Sequence, residues 1–318
     1  MITLDAVYVI VGLMFGSFAI LSIFDRSNRK RIVNALFWGL LAASFLFGSH
    51  LNDVENGVLV LALVLVGGFG GLGIGKPQTK SSEERRASAR VLGNWLFVPV
   101  LLIPLAALLG TFFLKNATWS SIPLLDANNV TLISLALGIV LAIAVSMIWL
   151  RPPLLAPLQE GRRLIDTIGW AAVLPQMLAS LGAVFALAGV GKQVGIIATQ
   201  YIPLDHPIEA VIVYCMGMAA FTAIMGNALA AFPVMTAAVG LPLIVHRFHG
   251  DPAIMGAIGM LSGFCGTLTT PMAANFNIVP AALLELRDKN GVIKAQLPTA
   301  GLMLIANTIL MYCLVFRF

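Results

Sequence analysis

Four stretches of this chain, Ile32 to Gly48, Val58 to Gly75, Val91 to Leu114 and Val130 to Leu150, contain no Asp, Glu, Lys or Arg at all. Each is about the length that crosses a hydrocarbon core of roughly 30 Å as a helix. Lipid offers backbone groups no hydrogen-bond partner, so spans must be helices or closed barrels, and uninterrupted apolar runs select helices. Of 318 residues 59% are hydrophobic and only 10% charged, against roughly 25% charged in soluble domains. A water-soluble fold is excluded. The expectation is an all-α polytopic membrane protein with about ten transmembrane helices, some of them broken or re-entrant in the carboxyl-terminal half.

The first apolar segment, Thr3 to Phe24, has neither a basic region before it nor a small-residue cleavage site after it, and reads as a span rather than a removed signal peptide. Basic residues then favour alternate loops. Arg26, Arg29, Lys30 and Arg31 lie in the first, Lys76, Lys80, Arg85, Arg86 and Arg90 in the third, and Arg151, Arg162 and Arg163 in the fifth; the second has none and the fourth only Lys115. By the positive-inside rule the odd loops are cytoplasmic and the amino terminus is outside, as for a multi-pass protein of a bacterial inner membrane. The net charge of +5 is this asymmetry, not a nucleic-acid surface.

Nothing in the chain assembles a cofactor or metal site. Cys215, Cys265 and Cys313 are far apart in apolar stretches, where thiols act as small hydrophobes, and His246 and His249 lack a completing carboxylate or cysteine. An enzyme would need an activated nucleophile, a metal or paired carboxylates within the spans; Asp5 and Asp166 are lone carboxylates near span ends. The reading is therefore not an enzyme. Interface anchoring or capping is the expected role of Asp166 and Lys192.

The two halves differ in grammar. Residues 1–150 hold long aliphatic runs with few hydrogen-bonding side chains, a scaffold of about five helices, with Trp95 and Trp119 as interfacial anchors. Its exception is Gly67 to Gly75, where six glycines in nine positions suit close helix packing or a partner helix rather than a phosphate loop. Lys76 to Arg90 is a solvated loop and residues 151–163 a proline-stiffened connector. In residues 164–318 apolar stretches are repeatedly broken, which costs free energy in lipid unless the freed backbone groups are buried or line a wet cavity. Pro175-Gln176 interrupts one span. Gly189 to Gly195, with Lys192 and Gln193, leads to Tyr201-Ile-Pro203 as a re-entrant half-helix would. Thr222, Gly226, Asn227, Pro233 and Thr236 break a charge-free run nearly two spans long, and Met255 to Leu284 contains Gly266-Thr-Leu-Thr-Thr-Pro271 and Asn275-Phe-Asn277.

That last segment is the most informative. Pro271 lacks an N–H and disfavours helix at Thr270, so helix geometry is expected to be lost between Gly266 and Pro271. Pro271 then suits the first turn of a following helix, whose amino end would face the gap. Thr267, Thr269, Thr270, Asn275 and Asn277 lie beside it, a donor set suited to a small carboxylate, as at the discontinuous helices of secondary transporters. The candidate substrate-binding residues are Thr222, Gly226, Asn227, Thr267, Thr269, Thr270, Asn275 and Asn277, with Gln176 and Gln193 as further pocket residues and Pro233 and Pro271 as helix breaks. The bland alternative is that these groups only bond across helices, at about 1 kcal/mol each.

The stretches Gly226-Asn227 to Pro233 and Ser262-Gly263 to Pro280 carry a family likeness. The chain resembles the larger subunit of the bacterial two-subunit 5-oxoproline (pyroglutamate) transporter, along its whole length but specifically only in the last half. More loosely, the half from Leu164 is similar to one repeat of the ion-transporter superfamily of carboxylate permeases. The resemblance implies a smaller membrane subunit as partner, 5-oxoproline as a small carboxylate cargo, and secondary transport whose coupling ion, H⁺ or Na⁺, it leaves open. Members of that superfamily usually carry two hairpin repeats, whereas residues 1–150 hold no second copy of the Gly266 to Asn277 pattern. That fits a divided transporter; a non-transporting assembly subunit is the other reading.

Overall fold

The computed structural model describes residues 1–75, 81–115, 117–119, 122–201 and 205–317. The expected loop residues Lys76 and Lys80 and the Ile202-Pro203 end of the re-entrant stretch lie outside these. The regular structure of the described chain is helical apart from a two-residue pairing of Thr118–Trp119 with Ile122–Pro123 and an isolated bridge from Ile2 to Leu125. Among the described residues eight helices are long and apolar enough to cross a membrane, and Arg31–Phe47 and Pro252–Thr267 are shorter apolar helices. The protein is an all-α polytopic membrane protein. It divides into two compact units, Met1–Gly169 and Trp170–Phe318.

The first unit contains α1 (Leu4–Phe24), α2 (Arg31–Phe47), α3 (Asp53–Leu65), α4 (Ser82–Leu92), α5 (Phe97–Leu109), α6 (Val130–Leu150) and α7 (Ala156–Ile168). Helix α3 begins at a reciprocal cap, in which Asn52 accepts from the Glu55 N–H and Glu55 from the Asn52 N–H. Helices α1 and α2 pair through aromatic stacking, with the Phe15 and Trp38 rings 5.8 Å apart and 14° from parallel. Helices α5 and α6 interlock at small residues, Gly138 being pressed against Ile103 and Ala106. The unit reaches past the expected connector because α7 carries Arg162 and Asp166 into its interior.

The glycine run departs from expectation in part. Only Val66–Gly70 continues α3, as a π-helical turn, and the chain from Gly71 to Gly75 is not helical. Its backbone is held by side chains instead: Asn34 donates to the Gly73 carbonyl at 2.7 Å and accepts from the Gly73 N–H at 2.8 Å, while Asn28 donates to the same carbonyl. Glycine is needed because a Cβ at position 73 would collide with the Asn28 side chain. Small residues here let α2 come close, as expected, Val33 meeting Gly70 and Asn34 bonding the Gly73 backbone, but the glycine segment on the other side is not helical.

The second unit contains α8 (Leu174–Leu187), α9 (Val190–Tyr201), α10 (Pro207–Met225), α11 (Ala228–Met235), α12 (Pro252–Thr267), α13 (Ile278–Leu283) and α14 (Gly291–Val315). Pro175 does interrupt the chain, sitting in the first turn of α8 after a 3₁₀ stretch. Helices α8 and α9 form a short hairpin turned at Gly189, and their glycines fit α11 and its extension: Gly182 meets Ala230, Gly191 meets Val234 and Gly195 meets Ala238. Pro233 does not break α11, which runs through it and continues as a π-helix from Thr236 to Arg247. Near the helix start a proline forfeits one intrahelical bond, a cost the surrounding packing can absorb. Asp251 caps α12 by accepting from the N–H groups of Ala253 and Ile254. On α12, Gly259, Gly263 and Gly266 form a stripe that admits α10, meeting Tyr214, Met218 and Ala219 in that order. The two helices therefore run parallel, and their carboxyl ends lie at the same end of the unit.

Candidate functional site

The candidate site is built at that end. Helix α10 stops at Gly226, whose φ of +73° is the left-handed conformation that glycine adopts without strain. A Cβ on Gly226 would lie 2.7 Å from the carbonyl carbon and oxygen of Met272. The break between α10 and α11 thus touches the turn after Pro271. Asn227 opens α11, its side-chain oxygen accepting from the Leu229 N–H at 2.9 Å.

Helix α12 ends at Thr267, inside the expected window, but the chain then departs from expectation. Residues 271–277 form turns rather than a helix; Pro271 is exposed, and the next helix, α13, starts only at Ile278 and has six residues. The helix amino end expected at Pro271 is therefore not formed. The local hydrogen bonds explain why. The Thr270 hydroxyl accepts from the Met272 N–H at 3.2 Å, a side-chain turn that competes with helix. The Asn277 amide donates to the Thr267 and Thr270 carbonyls at 2.9 and 2.7 Å, tying the loop back to α12.

The expected donors are largely spent. The Thr267 hydroxyl donates to the Phe264 carbonyl at 2.6 Å and the Thr269 hydroxyl to the Gly266 carbonyl at 2.8 Å, each adding to a backbone N–H bond that the same carbonyl accepts. What α12 and α10 present here is their carbonyl ends, which carry partial negative charge. The positive end at this level belongs to α11, at Asn227 and Ala228.

Of the residues singled out from the sequence, Thr222, Gly226, Asn227, Thr267, Thr269, Thr270 and Asn277 are brought together. Asn275 is not, its side chain being exposed on the turn, and Gln176 and Gln193 are exposed on α8 and α9. Thr222, Thr267, Thr270 and Asn277 are buried. Two buried oxygens among them, Thr222 Oγ1 and Asn277 Oδ1, have no hydrogen-bond partner. Buried polar atoms are nearly always paired, so two such atoms at one helix junction single it out.

The first unit holds a second buried polar cluster that the scaffold reading missed. Arg162, expected to be a topological loop charge, is buried and pairs with Asp25 at 3.0 Å while donating to the Leu21 carbonyl at 2.8 Å. Asp166 neither caps a helix nor anchors an interface: it is buried and accepts from the Trp38 indole at 2.8 Å and the Asn34 amide at 3.0 Å. The available signal was the four-residue spacing of Arg162 and Asp166, which puts both on one face of α7. Their partners lie too far away in sequence for any local pattern to supply.

Fold and site together define a multi-pass α-helical membrane protein with broken helices around a buried polar junction. The chain belongs to the family described as "Protein of unknown function (DUF979)", whose model matches residues 5–316. No curated protein and no solved structure matches the chain.

Proposed function

We propose that the chain is the larger subunit of a secondary transporter for small carboxylates such as 5-oxoproline, working with a smaller membrane subunit in a bacterial cytoplasmic membrane. The observation that carries this reading is the junction itself, where the α10–α11 break and the α12 terminus meet around buried polar groups two of which lack partners. A ligand that comes and goes supplies the partners of such atoms intermittently. The carboxylate belongs at the start of α11, where N–H groups and the positive helix end favour an anion. The Asn227 amide is the side-chain donor beside it. The resemblance of the Gly226 to Pro233 and Ser262 to Pro280 stretches to the 5-oxoproline transporter supplies the cargo.

The test is uptake of labelled 5-oxoproline by cells expressing the chain with its partner at matched membrane abundance. Losing a hydrogen bond to a charged group costs about 1.5–3 kcal/mol, so Asn227→Ala is expected to weaken apparent affinity roughly ten- to hundredfold. Unchanged half-saturation and maximal rate would place the substrate elsewhere. Orientation is tested separately: a cysteine at Glu83 labels only from the cytoplasmic side and one at Asn128 only from outside, and reversed labelling would overturn the topology.

A further inference from the structure

We infer that the carboxyl ends of α10 and α12, with Thr222 Oγ1 and Asn277 Oδ1, form a binding site for a hard monovalent cation, Na⁺. The inference starts from the reversal of helix polarity at this junction. Two parallel helices end side by side, so their partial negative charges add at one place. The side chains there are uncharged, which suits a single positive charge better than a divalent ion, whose sites are usually built with carboxylates.

The second, independent observation is the pair of open oxygens. Thr222 and Asn277 are both fully buried at 0% exposure, and neither Oγ1 nor Oδ1 has a partner. Asn277 is held with its amide nitrogen committed to two carbonyls, which leaves its oxygen, an acceptor only, directed away from them. Such an atom needs a donor or a cation. Thr222 Oγ1 faces Gly263, 3.3 Å from where a Cβ would stand, and Asn277 holds the Thr267 carbonyl one turn further along α12. One turn is about 5.4 Å, so both side chains lie along the last turn of α12, where backbone carbonyls are at hand to complete an ion's shell. Glycine at 263 keeps the space beside Thr222 open.

The inference deepens the transport reading by naming the coupling ion at the same junction, yet binding of Na⁺ itself requires neither substrate nor partner. The chain, purified in detergent, is therefore tested alone, by thermal unfolding in sodium chloride against choline chloride at equal ionic strength and by equilibrium binding of ²²Na⁺. Wild type is expected to melt higher in sodium. Thr222→Val removes the open hydroxyl at nearly constant shape. It is expected to fold at least as well as wild type in choline, because it deletes an unsatisfied buried group, and to weaken ²²Na⁺ binding at least about tenfold. Thr222→Ser, which keeps the oxygen, retains the sodium response. A merely structural hydroxyl would give the opposite pattern, destabilisation in both salts. Equal melting of wild type in the two salts with no ²²Na⁺ bound would overturn the site, as would an unchanged sodium response in Thr222→Val; should that variant not fold, ²²Na⁺ binding to wild type decides. If Na⁺ binds and 5-oxoproline uptake is absent, the transport reading fails while this one stands.

Discussion

Both units bury polar side chains, and they do so in opposite ways. In the first, Asp25 faces Arg162 and Asp166 accepts two hydrogen bonds from α2. Its leftovers are Asp25 Oδ2 and Arg162 Nε, which belong to groups already joined in an ion pair at 3.0 Å, and Ser134 Oγ, pressed against Gly110 between α5 and α6. In the second, Gln296 Oε1 is open on α14, and Thr222 Oγ1 and Asn277 Oδ1 are open where two other helices end. The difference teaches that charge is a poor guide to function here. In the charged cluster the open atoms sit on groups that neutralise each other, and the network holds α7 and the glycine segment in place; in the neutral cluster the open oxygens have no such counterpart and are poised for a ligand.

The charged cluster is the place where a single substitution should do most damage. Arg162→Leu leaves Asp25 buried without its cation and is expected to destabilise the protein by about 3–5 kcal/mol, read as loss of membrane abundance and a lower unfolding temperature. Adding Asp25→Asn should restore part of the loss. No loss in the single variant would mean that the pair does not hold the first unit together. Next comes Gly226→Ala, where a left-handed backbone costs an alanine roughly 1–2 kcal/mol and the new Cβ meets the Met272 backbone; thermal unfolding measures it, and an unshifted midpoint would show that the α10–α11 break and the turn after Pro271 are not in contact. Asn227→Ala removes the α11 cap at about 1 kcal/mol, a modest stability change against the large uptake change expected of it, and that contrast separates a binding residue from a merely structural one. The smallest effect belongs to Asn275→Ala. Its side chain is exposed on the turn, so stability should stay within about 0.5 kcal/mol and uptake should not change; a large uptake defect would show that the turn rearranges onto the substrate.

Much of this architecture was legible in local pattern. Charge-free windows announce the spans because a helix in lipid satisfies its own backbone, a property of the segment alone. The end of α12 between Gly266 and Pro271 was equally readable, since Pro271 acts on its immediate neighbours. Pro233 misled because the same residue near a helix start can be absorbed by packing. The glycine run was legible in part: small residues announce that a neighbour comes close, and α2 does through Val33 and Asn34, but whether the run itself is helical is not written in it.

Local pattern suffices for the class of the protein, the unequal grammar of its two halves and the neighbourhood of the polar junction. Tertiary structure decided the polarity of that junction and which of its atoms remain open. The reason is physical: a hydroxyl or amide is equally able to bind a ligand or to cap a carbonyl, and the choice depends on what the fold places within about 3 Å of it. Asn277 is committed to carbonyls seven and ten residues back, and Asp166 to an amide 132 residues away. Spacing predicts which polar groups lie deep in the protein, but only packing settles which of them already have a partner.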